Sequence, residues 1–272
     1  MKISSRAKIN LGLYVKGLRE DGYHDILSCF YPISYADDIR IERSSRFGLS
    51  LSGLSIPGSL SENTCVRAYQ LLEKRYGISP VHVWLHKRIP VGSGLGGGSS
   101  NAAAVLLGLS QIYDLPRSTL MEDALSIGSD VPFFLKNRPS LVEGRGDIIE
   151  PFRLPLISGK YIFLVCPSIS LWTREVYAEF ESFSSSFSTI GKNRFQYLLQ
   201  QHPEKWPEKL HNVFESLILA RHPELRDVKT ELYRSGACYV SMTGTGSCIY
   251  GIFEESPPEL FPEYQSYVGV MD

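Results

Sequence analysis

The sequence predicts an α+β fold. Strand and helix patterns mix along it without strict β-α-β alternation, and a dense glycine run, Gly92 to Gly98, is set between a strand pattern and a helix pattern. Domains commonly hold about 100–200 residues, so the 272-residue chain fits one large or two modest domains. A compositional break over Glu150 to Gly159 divides it into domains at 1–150 and 151–272.

The elements follow in chain order. Ile9, Leu11, Leu13 and Val15 alternate, which predicts a strand over Ala7 to Val15. Gly17 to Tyr23 reads as a loop, Phe30 to Ile33 and Asp38 to Ile41 as short strands, and the Ser- and Gly-rich stretch Ser44 to Gly58 as a hairpin or surface loop. Cys65, Ala68, Tyr69, Leu72 and Tyr76 make one apolar stripe at helical spacing, with Ser61 or Asn63 to cap it and Gly77 to end it. Val81, Val83 and Leu85 alternate with His82, Trp84 and His86, a half-buried strand that runs into the glycines. Asn101 to Tyr113 is an Ala- and Leu-rich helix broken at Leu115-Pro116, and Leu120 to Ile127 a short helix ended by Gly128. Val142 to Ile149 reads as a hairpin around Gly144-Arg145-Gly146, and Tyr161 to Cys166 as a fully buried strand. Ser182 to Thr189 reads as a mobile loop. Leu210, Val213, Phe214, Leu217 and Ile218 predict an amphipathic helix, and Pro223 opens another through Leu232, stopped by Gly236. Ala237 to Thr243 and Ser247 to Phe253 are strands around Gly244-Thr245-Gly246.

The composition, 43% hydrophobic and 21% charged, supports an ordinary globular core. A net charge of −1, with Lys and Arg spread along the chain, argues against a nucleic-acid partner. The odd number of cysteines, without a Cys-x-x-Cys pair, argues against structural zinc and a disulfide framework and for inert thiols in a reducing cytosol. No apolar run follows Lys2 and Arg6, and none approaches the roughly 20 residues that cross a bilayer. A cytoplasmic protein with no membrane partner is expected.

The run Pro90-Val91-Gly92-Ser93-Gly94-Leu95-Gly96-Gly97-Gly98-Ser99-Ser100 carries the chemistry. Glycines let the backbone approach a ligand, and a following helix offers unpaired N–H groups with partial positive charge. Together they predict a cradle for nucleotide phosphates, with the hydroxyls of Ser99 and Ser100 able to bind a phosphate oxygen or a magnesium ion. A Walker A loop is excluded, because no Gly-Lys-Ser or Gly-Lys-Thr closes the run. Gly92, Gly94 and Gly97 match the dinucleotide pattern Gly-x-Gly-x-x-Gly, and Asp114 falls near its downstream acid. That fingerprint needs a second strand before the acid, whereas here a helix pattern runs up to it. The protein-kinase sequences Val-Ala-Ile-Lys and His-Arg-Asp are absent.

The run Pro90 to Asn101, continued by Ala102-Ala103, resembles the signature of the GHMP kinases (galactokinase, homoserine kinase, mevalonate kinase, phosphomevalonate kinase). Ala7 to Leu13, then Arg19 to His24, Glu62-Asn63, Val66 to Ala68, Ser129 to Phe134 and Met242 to Cys248 resemble, in order, the branch that phosphorylates 4-diphosphocytidyl-2-C-methyl-D-erythritol at its 2-hydroxyl on the non-mevalonate route to isoprenoids. The resemblance implies an N-terminal ATP-binding domain like the second domain of ribosomal protein S5, a ferredoxin-like C-terminal domain, and an active site in a cleft between them. It implies ATP and Mg2+, without assigning the metal's ligands.

It also implies roles for particular residues. Asp130 is the expected general base. Lys8 is its expected partner, holding it ionised and stabilising charge on the acceptor oxygen. Asn10, on the same strand face as Lys8, is expected to orient the acceptor. Tyr23 is expected to stack on cytosine and His24 to hydrogen-bond it. Thr173 and Tyr177 are expected to complete that pocket, although Trp172 stands where a smaller residue belongs. Asn63 and Lys87 are further candidates for adenine or phosphate contacts. His211-Asn212-Val213 departs from the family's Asn-Asp-Leu-Glu, and no contact is assigned there. Three alternatives stay open: a kinase for homoserine or a mevalonate-type acceptor, which needs no Tyr23-His24 pair; a dinucleotide-dependent oxidoreductase; and an inactive nucleotide-binding module.

Overall fold

The computed structural model describes residues 1–183 and 187–272. They form an α+β protein with two units interleaved along the chain. Met1–Ala7, Tyr35–Val91 and Gly96–Arg138 make one, and Lys8–Ser34, Gly92–Leu95 and Pro139–Asp272 the other. Strands β1 (Lys2–Leu18) and β2 (His24–Arg43) contribute residues to each; the second absorbs two shorter strands expected from the sequence.

In the first unit, β3 (Gly48–Gly53) pairs in parallel with β4 (Val81–Lys87), Gly48 lying opposite His82. The segment expected as a hairpin or loop therefore holds a strand. Parallel pairing needs a crossover, and helix α1 (Thr64–Tyr76) supplies it; the partner lies too far along the sequence for a local pattern to show. The far edge of β4 pairs antiparallel with residues 38–43 of β2. Asn63 caps α1, its Oδ1 accepting from the Cys65 N–H at 2.9 Å, and Gly77 ends the helix at φ 63°. Helix α2 (Gly97–Ile112) starts inside the glycine run, earlier than its Ala- and Leu-rich part predicts, because Gly96 takes the cap position and its carbonyl accepts from the Ser100 N–H. It packs against α1, α3 (Leu120–Ile127) and α4 (Val131–Lys136), and Ala102 to Ala104 let those neighbours come close. After α2 the chain turns at Asp114, φ 53°, and no strand lies between residues 113 and 139 among the described residues. The second strand that a dinucleotide fold places before its acid is therefore missing.

In the second unit, residues 26–30 of β2 pair with β5 (Ser140–Gly144), which makes the expected hairpin with β6 (Ile148–Pro151). A separate antiparallel sheet has the order β10-β7-β9-β8, from β7 (Tyr161–Cys166), β8 (Tyr239–Met242), β9 (Ile249–Phe253) and β10 (Gln265–Val270). Strand β7 is flanked on each edge, which accounts for its unbroken apolar run. Helices α5 (Thr173–Phe183) and α6 (Lys192–Leu199) take stretches without a predicted helix. Of the predicted loop Ser182 to Thr189, Ser184, Ser185 and Ser186 lie outside the described residues. The helix expected from Leu210 begins only at Glu215, as α7 (Glu215–Arg221); α8 (Pro223–Arg234) follows as predicted. Residues 211–213 form a parallel bridge with β1 instead, Leu13 N–H donating to His211 O (2.8 Å) and Val213 N–H to Leu13 O (2.9 Å). Backbone groups committed to β1 are unavailable to a helix. No helix among the described residues is long and apolar enough to cross a membrane.

Cys29, Cys65, Cys166 and Cys248 are buried and Cys238 is half-buried. Burial pushes up the thiols of Cys29 and Cys248, Cys65 to about 12 and Cys238 to about 11. Since the thiolate is the reactive form, an aromatic disulfide reagent at pH 8 is expected to react slowly with the folded protein, at Cys238 first, and with every cysteine in denaturant. Fast reaction of several thiols in the folded protein contradicts this.

Candidate active site

In the second unit, Lys8 and Asn10 sit two residues apart on β1 and share a face. They are 3% and 1% exposed. The Lys8 ammonium donates to Asn10 Oδ1 (2.7 Å) and Gly94 O (3.0 Å), and lies 4.8 Å from the Phe30 ring centroid. Asn10 Oδ1 also accepts from the Gly244 N–H (2.9 Å) and Thr243 Oγ1 (3.2 Å). Its Nδ2 donates to Ser28 Oγ (2.9 Å), its N–H to Thr243 Oγ1 (3.1 Å), and its carbonyl accepts from Tyr250 Oη (2.7 Å). Asn10, expected at the acceptor, thus engages its polar groups inside the protein, where it organises two loops. Gly94 shows why the loop is glycine-rich. Its φ is +78°, and a Cβ there would lie 2.0 Å from Thr243 O. The run Gly92 to Leu95 and the turn after β8 meet backbone to backbone, with the Cys248 N–H on Ser93 O (3.2 Å) and the Lys8 N–H on Leu95 O (3.0 Å).

In the first unit the run continues as the start of α2. A Cβ on Gly97 would lie 2.8 Å from Lys87 Nζ. Lys87 is 3% exposed and ion-paired at 2.5 Å with Asp37. Burial pulls its ammonium below the usual lysine range, while the Asp37 carboxylate holds it up. Lys87, expected near adenine or phosphate, thus sits beneath the start of α2 with its ammonium paired to Asp37. Asp37 is completely buried and works as a hub. Oδ1 accepts from the N–H groups of Arg88 (2.7 Å) and Ile89 (2.8 Å), and Oδ2 from Lys87 and from Asn101 Nδ2 (2.8 Å). Ser100, expected at phosphate or magnesium, is 3% exposed and accepts from Ser5 Oγ at 2.8 Å, so its hydroxyl braces α2 to β1. Gly98 is exposed and Ser99 half-exposed at the first turn of α2, whose leading N–H groups suit an anion. Thr64 Oγ1 donates to Gly98 O (2.7 Å), joining the starts of α1 and α2.

Asp130 occupies the N-cap position of α4 with Pro132 in the first turn, but its side chain makes no capping bond. In the second unit, the His24 ring lies 4.7 Å from that of Tyr177, and its Nε2 lies 3.0 Å from Glu181 Oε1. Tyr23 is 50% exposed, with the Arg145 guanidinium 5.2 Å from its ring centroid. Thr173 is the first residue of α5, and its Oγ1 lies 3.4 Å from Thr245 Oγ1. Trp172 turns to solvent, 51% exposed. The sequence reading missed Asp37, Glu181, Arg145 and Asn212. Asp37 lies one residue before the strand expected over Asp38 to Ile41, so its inward direction shows only in the fold.

An α+β chain whose glycine-rich run opens a buried helix, with a lysine bonded to that run, defines a nucleotide-dependent phosphotransferase. Residues 63–138 match the model of the GHMP kinase N-terminal domain and residues 195–265 that of the GHMP kinase C-terminal domain. The chain is 39% identical to the 4-diphosphocytidyl-2-C-methyl-D-erythritol kinase of Cytophaga hutchinsonii, covering 96% of this chain and 95% of the relative. The enzyme of that name from Thermotoga maritima is 39% identical, covering 93% and 92%. A crystal structure of a 4-(cytidine 5'-diphospho)-2C-methyl-D-erythritol kinase superposes with a TM-score of 0.76 at 33% identity, covering 93% of this chain and 90% of that one. The mevalonate kinase of Methanococcus jannaschii, at 15% identity and a TM-score of 0.65, shares the fold. The chain belongs to the GHMP kinase family and is an ATP-dependent small-molecule kinase.

Removing Asp37 leaves Lys87 buried without its counter-charge and two backbone N–H groups without their acceptor. Breaking such a pair costs about 3–5 kcal/mol. Asp37→Ala is expected to lose stability of that order in urea unfolding; a change below about 1 kcal/mol, the worth of an exposed pair, contradicts the hub.

Proposed function

We propose that this chain transfers the γ-phosphoryl group of ATP to the 2-hydroxyl of 4-diphosphocytidyl-2-C-methyl-D-erythritol, a step of the non-mevalonate route to isoprenoid precursors carried out in the cytoplasm. The observation that carries the reading is near-full-length similarity to relatives bearing that kinase's name, 39% identity over 96% of this chain in one case. The aromatic pair His24 and Tyr177, with Tyr23 next to His24 in sequence, supports a flat base as part of the substrate. Stacking on a base contributes about 1–3 kcal/mol. An acceptor such as homoserine or mevalonate would leave these rings without a task.

In this reading the backbone of Gly92 to Gly98 and the first turn of α2 hold the triphosphate. Asn63, with its Oδ1 on the α1 cap, borders the nucleotide. Magnesium supplies positive charge against the phosphates, and Ser99 is the hydroxyl of the loop open enough to face it. Asp130 takes the proton of the acceptor hydroxyl as that oxygen bonds the γ-phosphorus and the bond to the β-phosphate oxygen breaks, leaving ADP. Lys8 stabilises the oxygen as it becomes negative. Tyr23 and Tyr177 flank the base, His24 hydrogen-bonds it, and Thr173 borders the pocket.

ADP release is expected with the cytidyl substrate and not with mevalonate or homoserine measured beside it; faster turnover of either alternative overturns the substrate. Asp130→Asn is expected to bind ATP normally and to lose about 10²–10⁴ in kcat, the usual worth of a general base; near-native kcat removes Asp130 from that role. Tyr23→Ala is expected to raise KM for the cytidyl substrate about 5- to 150-fold, the equivalent of 1–3 kcal/mol, with KM for ATP unchanged.

A further inference from the structure

We propose that Asn212, seconded by Glu215, is a positioning residue for phosphoryl transfer, acting through the turn after β8 on Asn10, Lys8 and the glycine loop. The inference rests on the kinase reading above. Asn212 is 3% exposed. Its Nδ2 donates to Met242 O (2.8 Å) and Gly244 O (2.7 Å), and its Oδ1 accepts from the Phe214 N–H (3.1 Å). Both amide hydrogens and the amide oxygen are therefore engaged. Three residues on, Glu215 Oε2 accepts from the Met242 N–H (3.0 Å) and from Ser241 Oγ (3.2 Å). Lys229 pairs with its other oxygen. Met242 is gripped by its N–H from Glu215, the first residue of α7, and by its carbonyl from Asn212 just before that helix.

The grip is passed on. Gly244 gives its carbonyl to Asn212 and its N–H to Asn10 Oδ1 (2.9 Å), the oxygen that also takes the Lys8 ammonium (2.7 Å). Thr243 Oγ1 reaches Asn10 Oδ1 (3.2 Å) and Gly94 O (3.3 Å). The circuit closes through β1, where Leu13, three residues after Asn10, exchanges backbone bonds with His211 and Val213. Asn10, Leu13, Asn212 and Gly244, joined by these bonds and by β1 itself, are each buried. A filler residue would need only volume. Two donors aimed at two carbonyls fix the direction in which the Gly244 N–H points, and with it the oxygen that Lys8 shares.

Asn212→Asp keeps the shape and the Phe214 contact but turns an acceptor onto two carbonyls. It is expected to fold, shown by circular dichroism, and to lose about 10²-fold in kcat with KM for ATP and acceptor little changed, as a misplacement of about 1 Å does. Combined with Asn10→Ala, it is expected to cost no more than the slower single variant, because the two act on one node. Glu215→Ala is expected to show the same kcat-selective loss and Glu215→Gln, whose amide oxygen still accepts from Met242, to recover most of the rate. If Asn212→Asp does not fold, the Glu215 pair decides. Unchanged kcat in the folded variants, losses that multiply in the double variant, or no recovery with glutamine overturns the proposal. If the wild type turns over a different acceptor, the substrate proposal fails, and the same ratios to wild type, read on that acceptor, still decide the role of Asn212.

Discussion

The amide oxygen of Asn10 gathers three donors, the Lys8 ammonium, the Gly244 N–H and the Thr243 hydroxyl, at a position 1% exposed to solvent. In such surroundings a hydrogen bond is electrostatically stronger than in water, and an unpaired group costs about 1–3 kcal/mol. The arrangement is accordingly close to all-or-none. Moving the Gly244 N–H away strips Asn10 of a donor, and moving Asn10 strips Lys8 of an acceptor. The same logic reaches the glycine run, because Lys8 also donates to Gly94 O, which lies 3.3 Å from Thr243 Oγ1 as the other acceptor open to that hydroxyl's one hydrogen. That carbonyl comes within reach only because position 94 has no Cβ to strike Thr243 O. The absence of a side chain at Gly94 and the presence of one at Asn10 answer one geometric requirement.

The first unit solves a similar problem with a charge. Asp37 takes two backbone N–H groups at the end of β4, the amide of Asn101 on α2 and the ammonium of Lys87. A carboxylate buried without such donors would cost far more than any one contact returns, so the hub holds only when all four arrive together. It fixes the spacing between the end of the strand and the first turns of the helix. That spacing decides where the N–H groups of the α2 terminus point. Lys87 neutralises the hub from below, while Gly98 at the start of α2 stays exposed.

Much of this was legible in the chain. Alternation gave β4 and β7, helical spacing and Gly77 gave α1, and Gly128 and Gly236 marked the ends of α3 and α8, because in each case the signal is local. What stayed hidden was long-range. Strand β3 exists because β4 lies beside it in parallel, and residues 211–213 stay out of the helix because β1 takes the His211 carbonyl and the Val213 N–H. Asn212 looked like part of a departure from a motif, and only the fold brings its amide onto Met242 and Gly244, some thirty residues on. Ser100 and Lys87 show a second limit. A hydroxyl and an ammonium beside a phosphate loop look like ligands, yet each points inward to a buried partner. Polarity in a sequence does not reveal which side of the backbone it will serve.

The oxidoreductase alternative fails on the same distinction between a pattern and its setting. Gly92, Gly94 and Gly97 satisfy the dinucleotide spacing, and Asp114 stands near the required distance. In that fold the acid closes a second parallel strand, which holds it level with the loop so that it meets the ribose. Here α2 runs to Ile112, Asp114 turns in the left-handed region, and the chain goes on through α3 and α4 without a strand. The second glycine is also used differently. In a dinucleotide site its missing side chain makes room for pyrophosphate, whereas at Gly94 the space is filled by the carbonyl of Thr243. The run is built against a second loop of its own chain, and that packing ties its shape to Lys8 and Asn10, residues that a hydride-transfer site gives no reason to place there.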